Sequence, residues 1–161
     1  MCYGSGGCTS TISIEIYTKL VYDILTIKSI LVKLINLKLY NLIMKLLFVC
    51  VGNTCRSQMA EAISRELGHY AASAGTNPGK EIAPNAIKVV SELGISLENQ
   101  FPKLVDDIET ESYDKIISMG CGVSCPDLNI SEDWGLDDPH GLDIDFYRKT
   151  RDKILKLVSD L

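Results

Sequence analysis

The sequence predicts an α/β domain with a parallel sheet, and three observations support this fold class. The chain has 161 residues, of which 46% are hydrophobic and 23% charged, and these values are typical of one globular domain. From Met44 onward, short apolar runs alternate with stretches of helical periodicity. The first of these runs, Lys45–Val51, is apolar without a break after its lysine, which is typical of a strand buried on both faces.

The predicted elements follow one another as strand, helix, strand, helix, strand and helix. Ser57 can cap the first helix and Gly68 follows its end, while Pro84 lies in the first turn of the second helix and Gly94 follows it. Strands that alternate with helices in this way lie parallel in one sheet that the helices cover. The predicted strands are 45–51, 70–74 and 114–119, and the predicted helices are 57–67, 83–93 and 143–161.

Residues 1–43 differ in composition from the rest of the chain. Met1–Ser10 is rich in Gly, Ser and Cys, and Ile and Leu contribute 15 of the 33 residues that follow. A lysine or aspartate interrupts this stretch about every five residues, so it lacks the ~18 uncharged apolar residues of a membrane-spanning helix. A helix lying on a membrane surface is an alternative. We predict instead that 1–43 is an upstream extension, that 44–161 is the functional domain, and that no membrane is involved.

The charge of the predicted domain argues against a nucleic-acid partner. The whole chain has 16 basic and 21 acidic residues and a net charge of -5, and residues 44–161 retain 12 basic and 19 acidic residues and a net charge of -7. Such a chain has no general positive field to attract a polyanion, so any anion must be held by a local site. Six cysteines without a secretory signal favour reduced thiols, and we expect a cytoplasmic protein.

The strongest motif lies between the first predicted strand and the first predicted helix. It consists of Cys50, five residues, Arg56 and Ser57. A loop that enters a helix can turn its N–H groups toward a tetrahedral oxyanion, and the helix dipole adds positive potential. The predicted anion-binding loop is Val51, Gly52, Asn53, Thr54, Cys55 and Arg56.

The residue types of this motif suit nucleophilic catalysis on an anion. The planar guanidinium of Arg56 can bind two oxygens of the anion at once. A thiol at a helix N-terminus beside a cation ionises readily, so Cys50 is expected to react as a thiolate nucleophile, with Ser57 placed to hydrogen-bond it. Taken alone, Cys50 could be an ordinary buried strand cysteine. For Cys55 we favour such a structural role.

This segment resembles the low-molecular-weight protein tyrosine phosphatases and their relatives, the thioredoxin-coupled arsenate reductases. The resemblance extends from Met44 to the C-terminus, and it implies a three-layer sandwich around a central four-stranded parallel sheet. The phosphatases usually continue Arg-Ser-Pro after the loop. Here Arg56 and Ser57 are followed by Gln58, Met59, Ala60 and Glu61, which is similar to the reductases.

Two further cysteines, Cys121 and Cys125, follow the third predicted strand with three residues between them. This spacing could be half of a zinc site, but the chain offers few grouped ligands to complete one, and a redox pair is the simpler interpretation. The reductase resemblance implies that Cys50 attacks arsenate, that Cys121 then attacks Cys50 with release of arsenite, and that Cys125 attacks Cys121. Thioredoxin or a similar dithiol would reduce the resulting disulfide, and no cofactor is implied.

An acidic stretch that ends in Asp137, Asp138, Pro139 and His140 contains a candidate proton donor. Both families place an aspartate directly before a proline to protonate the departing oxygen, which implies this role for Asp138. We expect Asp137 and His140 to be ordinary loop residues.

The resemblance also bears on metal binding. Some relatives bind potassium near the loop through equivalents of Asn53, Glu61 and Ser73, but the remaining positions fall near Phe101 and Lys103, which are poor ligands. Lys103 could supply the positive charge instead. We therefore predict no obligatory metal.

Three functions are compatible with these residues. The first is reduction of arsenate to arsenite by a monomer that is recycled by thioredoxin. The second is a low-molecular-weight protein tyrosine phosphatase that hydrolyses phosphomonoesters through a phosphorylated Cys50, and it needs only Cys50, Arg56 and Asp138. The third is a binding module that retains the oxyanion pocket. The cysteine pair favours the first.

Overall fold

The computed structural model describes residues 10–40, 43–120 and 128–161. The chain divides into two units, Met1–Leu42 and Ile43–Leu161. In the first unit, helix α1 spans Ser10–Tyr40, and all side chains from 16 to 35 are exposed. Within the described residues, no helix combines the length and apolar composition needed to cross a membrane. That residues 1–43 lie outside the functional domain stays a prediction.

The second unit contains a four-stranded parallel sheet. Its strands are β1 (Lys45–Cys50), β2 (Tyr70–Gly75), β3 (Lys115–Ser118) and β4 (Glu132–Asp133), in the spatial order β2-β1-β3-β4. Strand β1 is central and buried from Leu46 to Cys50, which explains its continuous apolar run. The three predicted strands are present within one or two residues of their predicted ends.

Three helices of the second unit follow the predicted pattern. They are α2 (Arg56–Glu66), α3 (Pro84–Ser91) and α4 (Ile144–Ser159). Pro84 occupies the first turn of α3, where its missing N–H costs no hydrogen bond. Asp143 caps α4, since its carboxylate accepts a hydrogen bond from the Phe146 N–H (2.9 Å).

The two faces of the sheet have separate cores. Leu46, Phe48 and Ile117 point to the face where α2, α3 and α4 pack. Leu47 and Val49 point to the other face, which is covered by segments that include two short 3-10 helices, Val105–Asp107 and Thr110–Ser112. The predicted fold class, an α/β sandwich around a four-stranded parallel sheet, is confirmed.

Candidate active site

The predicted anion-binding loop connects the end of β1 to the start of α2. Its carbonyl groups are held by the segment that follows β2: Cys50 O, Val51 O, Gly52 O and Thr54 O accept hydrogen bonds of 2.8–3.2 Å from backbone N–H groups of residues 76–83. Asn53 O accepts one from Gln58 Nε2 (3.0 Å). Because the C=O and the following N–H of a trans peptide point in opposite directions, the amides of this loop are turned to its inner side. The loop can therefore donate several N–H groups to one oxyanion.

Gly75, the last residue of β2, permits this close packing. A Cβ at this position would lie 2.4 Å from Val51 O and 3.0 Å from the Asn53 Cβ. Any side chain would thus displace the anion-binding loop. Asn53 itself has a left-handed backbone (φ 47°), which asparagine tolerates better than most residues.

Cys50 and Ser57 lie together beneath the loop. Cys50 Sγ is 3.0 Å from Ser57 Oγ and accepts a hydrogen bond from the Asn53 N–H (3.1 Å). Ser57 Oγ accepts a hydrogen bond from Asn53 Nδ2 (2.8 Å), so its own proton is available for the sulfur. This geometry suits a thiolate at Cys50.

Ser57 does not cap α2, contrary to the predicted helix start. The N-cap residue is Cys55, and its side chain makes no capping hydrogen bond. The N-terminus of α2 is thereby left without a side-chain acceptor, which is the arrangement that favours an external anion.

Asn53 is the centre of a buried polar network. Its Oδ1 accepts from the Lys103 N–H (2.8 Å) and from Gln58 Nε2 (3.1 Å), and its Nδ2 also donates to Ser73 Oγ (2.8 Å). Sequence reasoning missed the role of Gln58 because the sequence does not show that this glutamine is fully buried, as it is in the structure, and so needs hydrogen-bond partners.

The network ends at Glu61, whose side chain is 1% exposed. Glu61 Oε2 accepts from Ser73 Oγ (2.6 Å) and lies 3.5 Å from Lys103 Nζ, while Oε1 pairs with Arg65 Nη2 at 2.6 Å. Two cationic side chains therefore stand beside this buried carboxylate. The contact of Lys103 agrees with the charge that we expected it to supply, and the absence of an obligatory metal stays a prediction.

Arg56 joins the loop to two other parts of the unit. Its Nη1 donates to Met119 O (3.1 Å) and Leu136 O (2.7 Å), and its Nη2 pairs with Asp138 Oδ2 at 2.9 Å. Asp138 Oδ1 accepts from the His140 N–H (3.1 Å), which fixes the carboxylate at the loop mouth. The structure thus brings Asp138 to Arg56, whereas the two carbonyl partners carry no sequence signal.

Cys55 points to different neighbours from those of Cys50. Its sulfur lies 3.4 Å from Tyr147 Oη and 3.9 Å from His140 Nδ1. Burial raises the pKa of the Cys55 thiol, so this side chain stays neutral at pH 7. These contacts agree with a structural role for Cys55.

Cys121 and Cys125 lie outside the described residues. The chain that leads to them is held close to Cys50, because the Met119 N–H donates to Val49 O (3.0 Å) and Val49 directly precedes Cys50. The next residue, Gly120, has φ 81°, and a Cβ on it would lie 2.4 Å from Leu136 N. Residue 120 is therefore restricted to glycine. The chain at this residue lies beside the anion-binding loop and beside the residues that lead to Asp138.

Comparisons with known proteins identify one family. The model of the low molecular weight phosphotyrosine protein phosphatase family matches residues 45–124. The chain is 37% identical over 125 residues to the glutaredoxin arsenate reductase of Synechocystis sp., covering 73% of this chain and 95% of that protein. It is 32% identical over 117 residues to the arsenate reductase of Staphylococcus aureus, covering 66% of this chain and 87% of that one.

Solved structures indicate the same family. One described as an arsenate reductase in the phosphate binding state has a TM-score of 0.68 and 34% identity, and the match covers 73% of this chain and 95% of that one. The YwlE arginine phosphatase of Geobacillus stearothermophilus has a TM-score of 0.63 and 26% identity, with 72% and 88% covered.

Proposed function

Because the chain belongs to the arsenate reductases of the low-molecular-weight protein tyrosine phosphatase superfamily, we propose that it reduces arsenate to arsenite. Cys50 is the nucleophile, and Val51–Arg56 form the oxyanion-binding loop. Ser57 stabilises the thiolate, and Asp138 protonates the departing oxygen. Cys121 and Cys125 carry the electrons away.

The observation that carries this proposal is the hydrogen bond from Arg56 Nη1 to Met119 O (3.1 Å). This bond links the anion-binding guanidinium to a residue only two positions before Cys121. Reduction needs a second thiol at this point of the chain, whereas hydrolysis needs only the loop and an acid. The similarity to arsenate reductases supports the same choice.

The proposed reaction transfers two electrons from two cysteine thiols to arsenic. The Cys50 thiolate attacks arsenic(V), a protonated arsenate oxygen leaves as water with a proton from Asp138, and an S–As bond forms. The Cys121 thiolate then attacks the Cys50 sulfur. The S–As bond breaks, its electron pair stays on arsenic, and arsenite leaves as a disulfide forms between Cys50 and Cys121. Cys125 attacks Cys121 next, which restores Cys50 and leaves a Cys121–Cys125 disulfide.

An external dithiol completes the cycle, and we propose thioredoxin or a similar protein in this role. The name of the Synechocystis relative includes glutaredoxin, so both carriers are worth testing. We propose a monomeric catalytic unit without a cofactor.

A coupled assay tests this proposal. We expect arsenate to cause NADPH oxidation when the chain is combined with thioredoxin and thioredoxin reductase, or with glutathione, glutaredoxin and glutathione reductase. Hydrolysis of p-nitrophenyl phosphate, measured beside it, should be at least about tenfold slower, since we propose that the site stabilises the transition state of arsenate reduction rather than that of ester hydrolysis. Rapid hydrolysis without arsenate-dependent NADPH oxidation would favour the phosphatase alternative.

The proton donor is testable through Asp138→Asn. Asparagine has nearly the same shape as aspartate but cannot donate a proton to a leaving oxygen, so we expect kcat for p-nitrophenyl phosphate to fall about 10²-fold. Asp106→Asn is the matched control, since Asp106 is exposed in a 3-10 helix. If Asp138→Asn hydrolyses the ester at the same rate as the control, another group is the acid.

A further inference from the structure

A groove of about 600 Å³ lies between α4 and the residues Leu136 and Asp137, directly before the Asp138 carboxylate. Three lysines line it, Lys149, Lys153 and Lys156, and we call it the lysine groove. All three side chains are exposed. The groove therefore presents positive charge beside the active-site aspartate of a domain whose net charge is -7.

The lysines of this groove belong to the half of the domain's basic residues that have no ion-pair partner among the described residues. Six of the 12 basic residues in 44–161 form such pairs: Arg56, Arg65, Lys103, Lys115, Arg148 and Arg151. Of the other six, half line this one groove. Unpaired cations are thus concentrated next to Leu136 and Asp137, the two residues before Asp138.

Their spacing forms a row on one helix face. Positions 149, 153 and 156 follow the i, i+4, i+7 pattern, which places them along about 10 Å of α4. Two acids also line the groove, but Asp152 pairs with Arg151 (2.7 Å), which leaves Asp137 as the acid with no ion pair among the described residues. The half-buried ring of Phe146 adds apolar surface at one end.

We propose that the lysine groove docks an acidic surface of the dithiol protein that reduces the chain, an inference that rests on the proposed function. The row is about 10 Å long and open to solvent, and the buried hydroxyl of Thr150 in the groove already donates to Phe146 O (3.0 Å), so the groove suits an extended protein surface better than one small anion. Aromatic residues such as Phe146 are enriched where proteins meet, and the rim around such a contact is polar and open to solvent. The groove also borders Leu136, which Gly120 contacts immediately before Cys121 in the chain.

The test is the triple variant Lys149→Glu, Lys153→Glu, Lys156→Glu. With whichever of thioredoxin or glutaredoxin supports turnover, we expect the KM for that protein to rise at least about tenfold at low salt and the difference to shrink at high salt. Arsenate reduction driven by dithiothreitol, which needs no docking surface, should change less than about twofold.

The matched control is Lys45→Glu, Lys80→Glu, Lys88→Glu, which makes the same change in net charge at the three other exposed lysines of the domain that lack ion pairs. Equal KM values in the two triple variants, or an unchanged KM in the groove variant, would overturn the docking surface. Where the groove variant fails to fold by circular dichroism, the triple lysine-to-glutamine variant replaces it, with an expected rise of about threefold.

The assay driven by dithiothreitol distinguishes a failure of this inference from a failure of the proposed function. Wild-type chain that makes no arsenite with dithiothreitol or with either protein would overturn the proposed function and the docking with it. Arsenite production with dithiothreitol but with neither protein carrier would overturn the docking alone.

Discussion

Cys50→Ser is expected to abolish both arsenate reduction and phosphoester hydrolysis, with rates at least about 10³-fold below wild type. Serine occupies the same position 3.0 Å from Ser57, so the loop should keep its structure. Its hydroxyl, however, is a far weaker nucleophile at neutral pH than a thiolate. The rates are measured as arsenite formed and as p-nitrophenol released.

Alkylation provides an independent readout of the same residue. Iodoacetamide at about pH 6 should modify Cys50 faster than it modifies a free thiol in solution, because only an ionised sulfur reacts. Cys55, whose pKa burial raises, should stay unmodified under these conditions. Peptide mapping distinguishes the two positions.

The control for Cys50→Ser is the double variant Cys2→Ser, Cys8→Ser, which makes the same substitution within residues 1–43, the part that we predict to lie outside the functional domain, and it should retain full activity. Residual arsenate reduction above about 1% in Cys50→Ser would show that another thiol is the nucleophile. Alkylation of Cys50 no faster than that of a free thiol would instead support a binding module.

Cys121→Ser is expected to stop arsenate reduction while leaving phosphoester hydrolysis within about twofold of wild type. Without the second thiol, the S–As adduct on Cys50 cannot be resolved into arsenite and a disulfide. Hydrolysis uses Cys50, Arg56 and Asp138 only, so it reports whether the site is intact. Arsenite production at the wild-type rate in this variant would show that the relay is wrong.

Cys125→Ser separates the two steps of the relay. Arsenite should form once per chain, since Cys121 can still attack Cys50, and turnover should then stop because the Cys50–Cys121 disulfide has no internal thiol to resolve it. The measurement is a single-turnover arsenite assay together with a mass determination of the disulfide. A single burst in Cys121→Ser as well would assign the resolving step to a different thiol.

The sequence predicted the anion-binding loop and its helix because both depend on short-range features. The continuous apolar run at 45–51, the residue types of the loop and the periodicity of the next helix are local. Strand β4, only two residues long, has no such pattern, since Glu132 and Asp133 are acidic and contact β3 through Lys115 and Ser118 as well as through the backbone. The 3-10 helices that cover the second face of the sheet escaped prediction for the same reason.

By itself, the sequence determined the fold class and indicated the candidate nucleophile, its arginine and the candidate thiols, because these rest on residue type and short spacing. The hydrogen bond between Ser57 and Cys50 was also predicted, but only the tertiary structure decided the other contacts of these groups. Ser57 does not cap its helix, and Arg56 binds the carbonyls of Met119 and Leu136 as well as Asp138. Such partners lie 63 to 82 residues from Arg56, and only the packing of the parallel strands brings their ends to one edge of the sheet.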